Sequence, residues 1–219
     1  MPRKTKAAPS ARGAPRTRRK TYHHGRLREA LIEAAERMIE EEGPETVTVR
    51  EAARRAGVSP GAPFRHFASR TALMTAVAER AMKRFRDEIA RAEAEVDPAD
   101  PLARFAALGG AYVRWALRNP ASFRVLATRS LIDFEGSATL TPDNDAIRAL
   151  MQEIVADGQK RGRMRKADPQ LVELAAKALS YGLARMYVDG HFPQWGVPAR
   201  RAEASMRAVL DFFGDLLAR

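Results

Sequence analysis

The sequence predicts an all-α fold of about nine helices, on three observations. Five times a good N-cap residue stands directly before a proline: Ser59-Pro60, Asp100-Pro101, Asn119-Pro120, Thr141-Pro142 and Asp168-Pro169. Such a pair joins a side chain that accepts from free amides to a residue suited to the first helical position. Apolar residues recur three and four apart, as Leu27, Ala30, Leu31, Ala34, Ala35, Met38 and Ile39 do, which marks one face of an amphipathic helix. Alternation of β-branched residues is confined to "TVTV", directly against a helix start.

Taken in order, the chain opens with "MPRKTKAAPSARGAPRTRRK", which has no apolar periodicity and reads as a disordered basic arm over residues 1–20. The first helix then spans roughly 25–43 and ends at Gly43. Thr48, with Glu51 three residues on, forms a capping box for a helix at roughly 49–56. Ser59-Pro60 starts a short helix at roughly 60–67, and Ser69 caps a long one at roughly 70–95. The remaining pairs start helices at roughly 101–118, 120–134, 142–162 and 169–190, and apolar periodicity places the last at roughly 199–218.

With 45% hydrophobic residues in 219, the chain has enough apolar side chains for a sizeable core. It holds no apolar run near the ~20 residues of a membrane span, and no signal-peptide pattern, so a soluble cytoplasmic protein without a membrane partner is expected. The absence of cysteine excludes disulfides, thiolate metal sites and a cysteine nucleophile. The net charge of +11 is localised: residues 1–28 carry +10, residues 29–45 carry −6, residues 46–86 carry +7, and the remainder balances. A basic field confined to the first 86 residues is either a solvated surface or a polyanion site.

Residues 48–67 bear on the choice. "TVREAARRAG" and "SPGAPFRHF" are two short helical segments separated by Gly57 and Val58, which is helix-turn-helix spacing. Gly57 permits the left-handed turn, Val58 fills the crook, and Ala52, Ala53 and Ala56 allow close packing. Gly61 and Ala62 leave the exposed face of the second segment small enough for its backbone to approach a groove.

"YHHGRLREALIEAAERMIEEEG" followed by "TVREAARRAGVSPGAPFRHFASRTAL" resembles the N-terminal DNA-binding domain of the TetR family of bacterial transcriptional regulators, over about residues 21–86. "AYVRWALRNPASFRVL", residues 111–126, is similar to a segment common in one branch of these regulators. The resemblance implies a disordered arm at 1–20, a helix-turn-helix domain at 21–69 and a helical effector-binding and dimerisation domain at 70–219. It also implies a sequence-specific regulator, a repressor relieved by a small apolar or aromatic effector, that works on double-stranded DNA as a homodimer at a pseudo-palindromic operator.

Carried over by position, the family pattern sets Thr48, Val49 and Arg50 against DNA, with Arg50 suited to a bidentate guanine contact. Ser59, Pro60, Gly61, Ala62, Phe64 and Arg65 fall on the groove-facing turn, and His66 and Arg70 at phosphate positions. Three residues depart from the pattern. Phe64 stands where tyrosine is usual and loses a hydroxyl, Pro63 replaces a commoner leucine and loosens the recognition helix, and Arg70 replaces lysine with its charge kept. Arg26 adds charge where similar regulators have aspartate. Arg54 and Arg55 read as a solvated face and Phe67 as core. His23 and His24 are adjacent and share no helix face, so no metal site is expected, and no cofactor.

The helix beginning at Pro169 and the last helix are apolar on more than one side, which predicts a four-helix dimer interface made by the same pair from two subunits. Phe105, Leu108, Tyr112, Trp115, Phe123, Met151, Val155, Leu179 and Met186 are candidates to line an apolar effector cavity, with Leu126 and Ile154 beside them. Arg114 and Arg118 do not single out an anionic ligand. A nonspecific architectural nucleic-acid binder and a helical small-molecule or lipid carrier are the rival readings. No nucleophile, base and orienting group occur together, Asp133 and Glu135 being isolated, so no enzyme is expected.

Overall fold

The structure, a computed structural model, describes residues 19–59, 61 and 63–219, with side chains from residue 26 onward. Among these residues there are eight α-helices and no strand: α1 (Arg19–Glu42), α2 (Val49–Arg55), α3 (Arg70–Ala94), α4 (Pro101–Arg118), α5 (Pro120–Ala127), α6 (Leu140–Lys160), α7 (Pro169–Val188) and α8 (Ala202–Leu217).

Caps chosen by the sequence set half of the starts. Thr48 accepts from the Glu51 amide and Ser69 from the Ala72 amide, each at 3.1 Å. Asp100 accepts from Leu102 and Ala103, and Asp168 from Gln170 at 2.9 Å. Each such bond is worth about 1 kcal/mol. The side chain of Asn119 does not cap α5; its amide donates to the Trp115 carbonyl at 2.9 Å and closes α4 instead.

Several boundaries differ from the expected ones. Helix α1 begins at Arg19 rather than 25, so the segment "TYHHG" is helical, while residues 1–18 of the expected arm lie outside the described residues. Among the described residues of the expected helix over 60–67 there is a 3-10 turn, Pro63–Arg65, and no α-helix. Pro63 brings no amide of its own to a helical hydrogen bond. Helix α5 stops at Ala127 rather than 134, where the Thr128 hydroxyl donates back to the Arg124 carbonyl at 2.9 Å and a 3-10 turn, Arg129–Leu131, follows. Helix α6 begins at Leu140, not Pro142, because the Ser137 hydroxyl accepts from the amides of Thr139 and Leu140 and so starts the helix early.

A continuous apolar core runs from Leu31, Met38 and Ile39 of α1 through Met74 and Val77 of α3 to Phe123 of α5 and Ile154 of α6. A smaller cluster of Val113, Leu183, Phe192, Ala202 and Met206 lies where the α7–α8 connection folds over α4. The buried carboxylate of Glu88 on α3 ties α3 to α4: Arg114 meets it at 3.0 Å and Arg118 at 3.6 Å, and Arg91 of its own helix at 2.9 Å. The chain end is fastened as well, since the Arg165 amide donates to Leu217 at 2.8 Å and the Arg219 amide to Arg163 at 3.1 Å. Among the described residues no helix is long and apolar enough to cross a membrane.

Candidate nucleic-acid interface and ligand cavity

The turn after α2 is the one the sequence requires. Gly57 has a positive φ of 68°, the Gly57 amide donates to Arg54 at 3.1 Å and the Val58 amide to Ala53 at 3.0 Å. These bonds satisfy the last carbonyls of α2, and Val58 packs half-buried on the core. Phe67 is buried in the core below the Pro63–Arg65 turn, with the Arg28 guanidinium 5.6 Å from its ring centre. Ser69 then starts α3.

Helix α2 is clamped to α1 by charge. Arg55 engages Glu41, Glu42 and Glu51, and Arg54 donates to Glu51 at 2.6 and 2.8 Å. Hydrogen bonds from Arg54 and Arg55 hold the Glu51 carboxyl down at about 2. Arg54 lies on the solvated face the sequence implied, its side chain 73% exposed, whereas Arg55 is a fastener between the two helices.

The expected DNA contacts separate into three groups. Arg50, Ser59, Gly61, Phe64 and Arg65 are exposed, Phe64 at 46%, and are open to an approaching duplex. Pro60 and Ala62 lie outside the described residues. The others are occupied within the fold. Thr48 caps α2, and Val49 is 5% exposed and packs in the core, so its side chain does not face a groove. Arg70 is not a free phosphate ligand: its Nε donates to the Val47 carbonyl and its terminal nitrogen to the Pro44 carbonyl, both at 2.8 Å, with Glu45 at 3.6 Å. His66 is half-buried beside a cleft shared with Arg28, Thr75, Glu79, Asp133 and Ser137.

Behind this head, α3, α4, α5, α6, α7 and α8 enclose a cavity of about 670 Å³, within the range of drug-sized ligand sites. Phe105, Leu108, Tyr112, Trp115, Phe123, Leu126 and Met151 line it. Val155 and Ile154 are buried in the main core, and Leu179 and Met186 pack on the smaller cluster, so these four lie apart from the cavity walls. The aromatic wall is a connected cluster. Phe85 meets Tyr112 edge-on at 5.3 Å and Trp115 at 5.0 Å, and Phe123 meets Tyr181 at 5.7 Å.

Sequence reasoning missed Phe85, Phe134, Tyr181 and Phe213 as cavity walls, and the charged residues Arg129, Arg148 and Lys177. Lys177 left a legible signal as a lone charge within "LAAKALSYGLA". Lys177 is exposed as a residue, and its ammonium lies over the Tyr112 ring, 4.5 Å from the centre and 3.5 Å from the hydroxyl. Desolvation there, with Arg129 nearby, lowers the Lys177 ammonium to about 8, and burial pushes the Tyr112 phenol up.

The loop after α5 joins cavity to head. Arg129 and Phe134 line the cavity, with the guanidinium stacked on the ring at 3.2 Å. The Asp133 amide donates to the Thr75 hydroxyl of α3 at 2.9 Å, and the Ser137 hydroxyl to Glu79 of α3 at 2.8 Å. Glu79 in turn lies 3.8 Å from Arg28 of α1. Among the described residues no group of three or more histidine, aspartate or glutamate side chains is placed to hold a metal ion.

A helix-turn-helix head with exposed cationic and aromatic side chains, carried on a helical body with an apolar cavity, defines a DNA-binding regulator. A family profile described as bacterial regulatory proteins of the tetR family matches residues 31–77, and one described as a tetracyclin repressor-like C-terminal domain matches residues 105–213. The chain belongs to the TetR family of DNA-binding transcriptional regulators. A solved structure of a protein of unknown function from Rhodococcus sp. RHA1 is 32% identical, with 91% of this chain and 100% of that one covered at a TM-score of 0.75. The TetR family transcriptional regulator PfmR from Thermus thermophilus shares the fold at 22% identity, 88% and 97% coverage and a TM-score of 0.69. So does the ketosteroid transcriptional regulator KstR2 of Mycobacterium tuberculosis, at 19% identity, 88% and 95% coverage and a TM-score of 0.67. No curated protein matches the chain significantly.

Proposed function

We propose that the chain is a homodimeric, cytoplasmic repressor, without enzymatic activity, whose hold on a pseudo-palindromic operator is released when a small ligand fills the cavity. The observation that carries this reading is the position of α3. Its first turn begins at Arg70, directly after the DNA-reading turn, and its middle supplies Met82, Phe85 and Ile89 to the cavity wall. A ligand that prefers one placement of α3 thereby prefers one placement of the head, and by linkage it weakens DNA binding to the extent of that preference. On this reading residues 21–69 form the reading head, residues 70–219 the ligand-binding and dimerisation body, and residues 1–20 a basic arm beside the duplex.

The dimer reading rests on unpartnered apolar side chains along α7 and α8. Leu171, Leu174, Val209, Phe212 and Leu216 are exposed, Leu171 and Phe212 each at 64%. A monomer in water would leave this face uncovered, and two copies related by a two-fold axis cover it with a four-helix bundle. In that arrangement two heads reach successive major-groove faces.

The direct test pairs sedimentation equilibrium with fluorescence anisotropy on the full-length protein. Wild type is expected to sediment as a dimer and to prefer its cognate duplex over a scrambled one at ~150 mM salt. The double variant Leu174→Glu, Phe212→Glu is expected to sediment as a folded monomer and lose that preference. A dimeric double variant, or a wild type without duplex preference, would refute the reading.

A further inference from the structure

Resting on the reading of the cavity as the effector site, we infer that its natural ligand is an amphipathic carboxylic acid: an apolar body among the aromatic side chains, and a carboxylate held by Lys177 and Arg129.

The charges on the cavity wall do not balance. Arg129, Arg148 and Lys177 line it against the single carboxylate of Glu173. That carboxylate is already spent, since one oxygen accepts from Arg148 at 2.6 Å and the other from Gln152 at 2.6 Å. Among the described residues no carboxylate stands within ion-pair distance of Lys177 or Arg129. Their placed contacts are instead aromatic, Lys177 over Tyr112 and Arg129 over Phe134. Both residues are exposed to solvent, and neither has a carboxylate to neutralise it where it meets the largely apolar space.

Trp115 is 3% exposed and lines the cavity with its ring. The wall thus offers the Lys177 and Arg129 donors without a matching acceptor. A neutral hydroxyl would answer one of them; a carboxylate, with two oxygens and a negative charge, answers several and neutralises the imbalance. The rest of the wall, including Phe85, Phe105, Phe123, Leu108 and Phe213, fits only an apolar body. A cationic amphiphile is disfavoured by the same charges.

The test uses isothermal titration of the full-length protein with decanoate, 1-decanol and decylamine, which share a chain and differ in the head group. Decanoate is expected to bind about tenfold or more tighter than decanol, the advantage of a charge-assisted contact over a neutral one, and decylamine not at all. Lys177→Met is expected to reduce decanoate binding about tenfold while leaving decanol within about twofold. Arg129→Leu is the second variant, and thermal unfolding verifies that each is folded. Decanol binding as tightly as decanoate, or decanoate affinity untouched in both variants, would overturn the carboxylate inference while leaving the cavity as an apolar ligand site. Failure of all three probes to bind wild type would overturn the cavity reading as well.

A second readout follows from the surroundings of Lys177, which are Tyr112 on α4, Arg129 after α5, Arg148 with its partner Glu173, and Tyr181. A carboxylate arriving there raises a lysine that titrates near 8. Binding at a slightly alkaline pH therefore takes up a proton, and decanoate heats should differ between Tris and phosphate buffers. Equal heats would contradict a carboxylate seated on Lys177.

Discussion

The Arg70 guanidinium donates to the backbone carbonyl of Val47 at 2.8 Å, and through a second nitrogen to that of Pro44 at the same distance. The first residue of α3 therefore holds the segment that leads into α2, alongside the apolar core that α1 and α3 share. Arg70→Ala is expected to destabilise the protein by about 2 kcal/mol, because two charge-assisted bonds are lost and two carbonyls left to water. Arg70→Lys, with a single point donor, should recover only part of this. Urea unfolding measures both. A variant as stable as wild type but weaker on every duplex would restore the phosphate-contact role instead.

Arg50 stands on the exposed face of α2 with no structural duty comparable to that of Arg70. Arg50→Ala should leave thermal stability unchanged and relax discrimination at one base pair of each half-site by about 1–3 kcal/mol. Anisotropy on duplexes substituted one position at a time measures this. A uniform loss across all sequences would reassign Arg50 to the phosphate backbone.

Glu51 gives the α1–α2 clamp an acid limit. Its carboxyl is held at about 2, chiefly by the hydrogen bond from Arg54 and next by that from Arg55. The folded value lies below the unfolded one, so the contribution is complete above the usual carboxylate range and is lost as pH falls from there toward 2. Unfolding midpoints measured between pH 6 and pH 2.5 should fall less steeply in Glu51→Gln than in wild type. Parallel slopes would remove Glu51 from the acid response.

Glu79 of α3 accepts from Ser137 and faces Arg28 of α1, where the cavity's loop meets the head. Glu79→Ala should leave ligand affinity and DNA affinity each within about threefold, yet reduce the change in DNA affinity that ligand produces by about fivefold. Undiminished coupling would place the route through α3 alone.

The parts legible in the sequence are those decided by local chemistry. Thr48, Ser69, Asp100 and Asp168 each bond a nearby amide, so their helix starts could be read from a few residues. The turn at Gly57 is equally local, since it rests on one backbone conformation. What escaped reading depends on distant partners. Arg70 bonds carbonyls more than twenty residues away, and the cavity's charge excess exists only because three separate segments bring Arg129, Arg148 and Lys177 to one wall. Val49 was misassigned for a related reason: a short helix has few residues to define its face, and packing against α1 decides which side is inward. The Pro63–Arg65 turn shows the opposite case, in which a local signal was present and the expected helix hid it.

The central claim is that this chain reads DNA sequence as a symmetric dimer, and selection of bound duplexes from a random library by the full-length protein tests it most directly. The account predicts an enriched pseudo-palindrome with half-sites about one helical turn apart, or a multiple of it. Bound duplexes with no sequence in common would contradict it and leave only the affinity of a basic surface for phosphate.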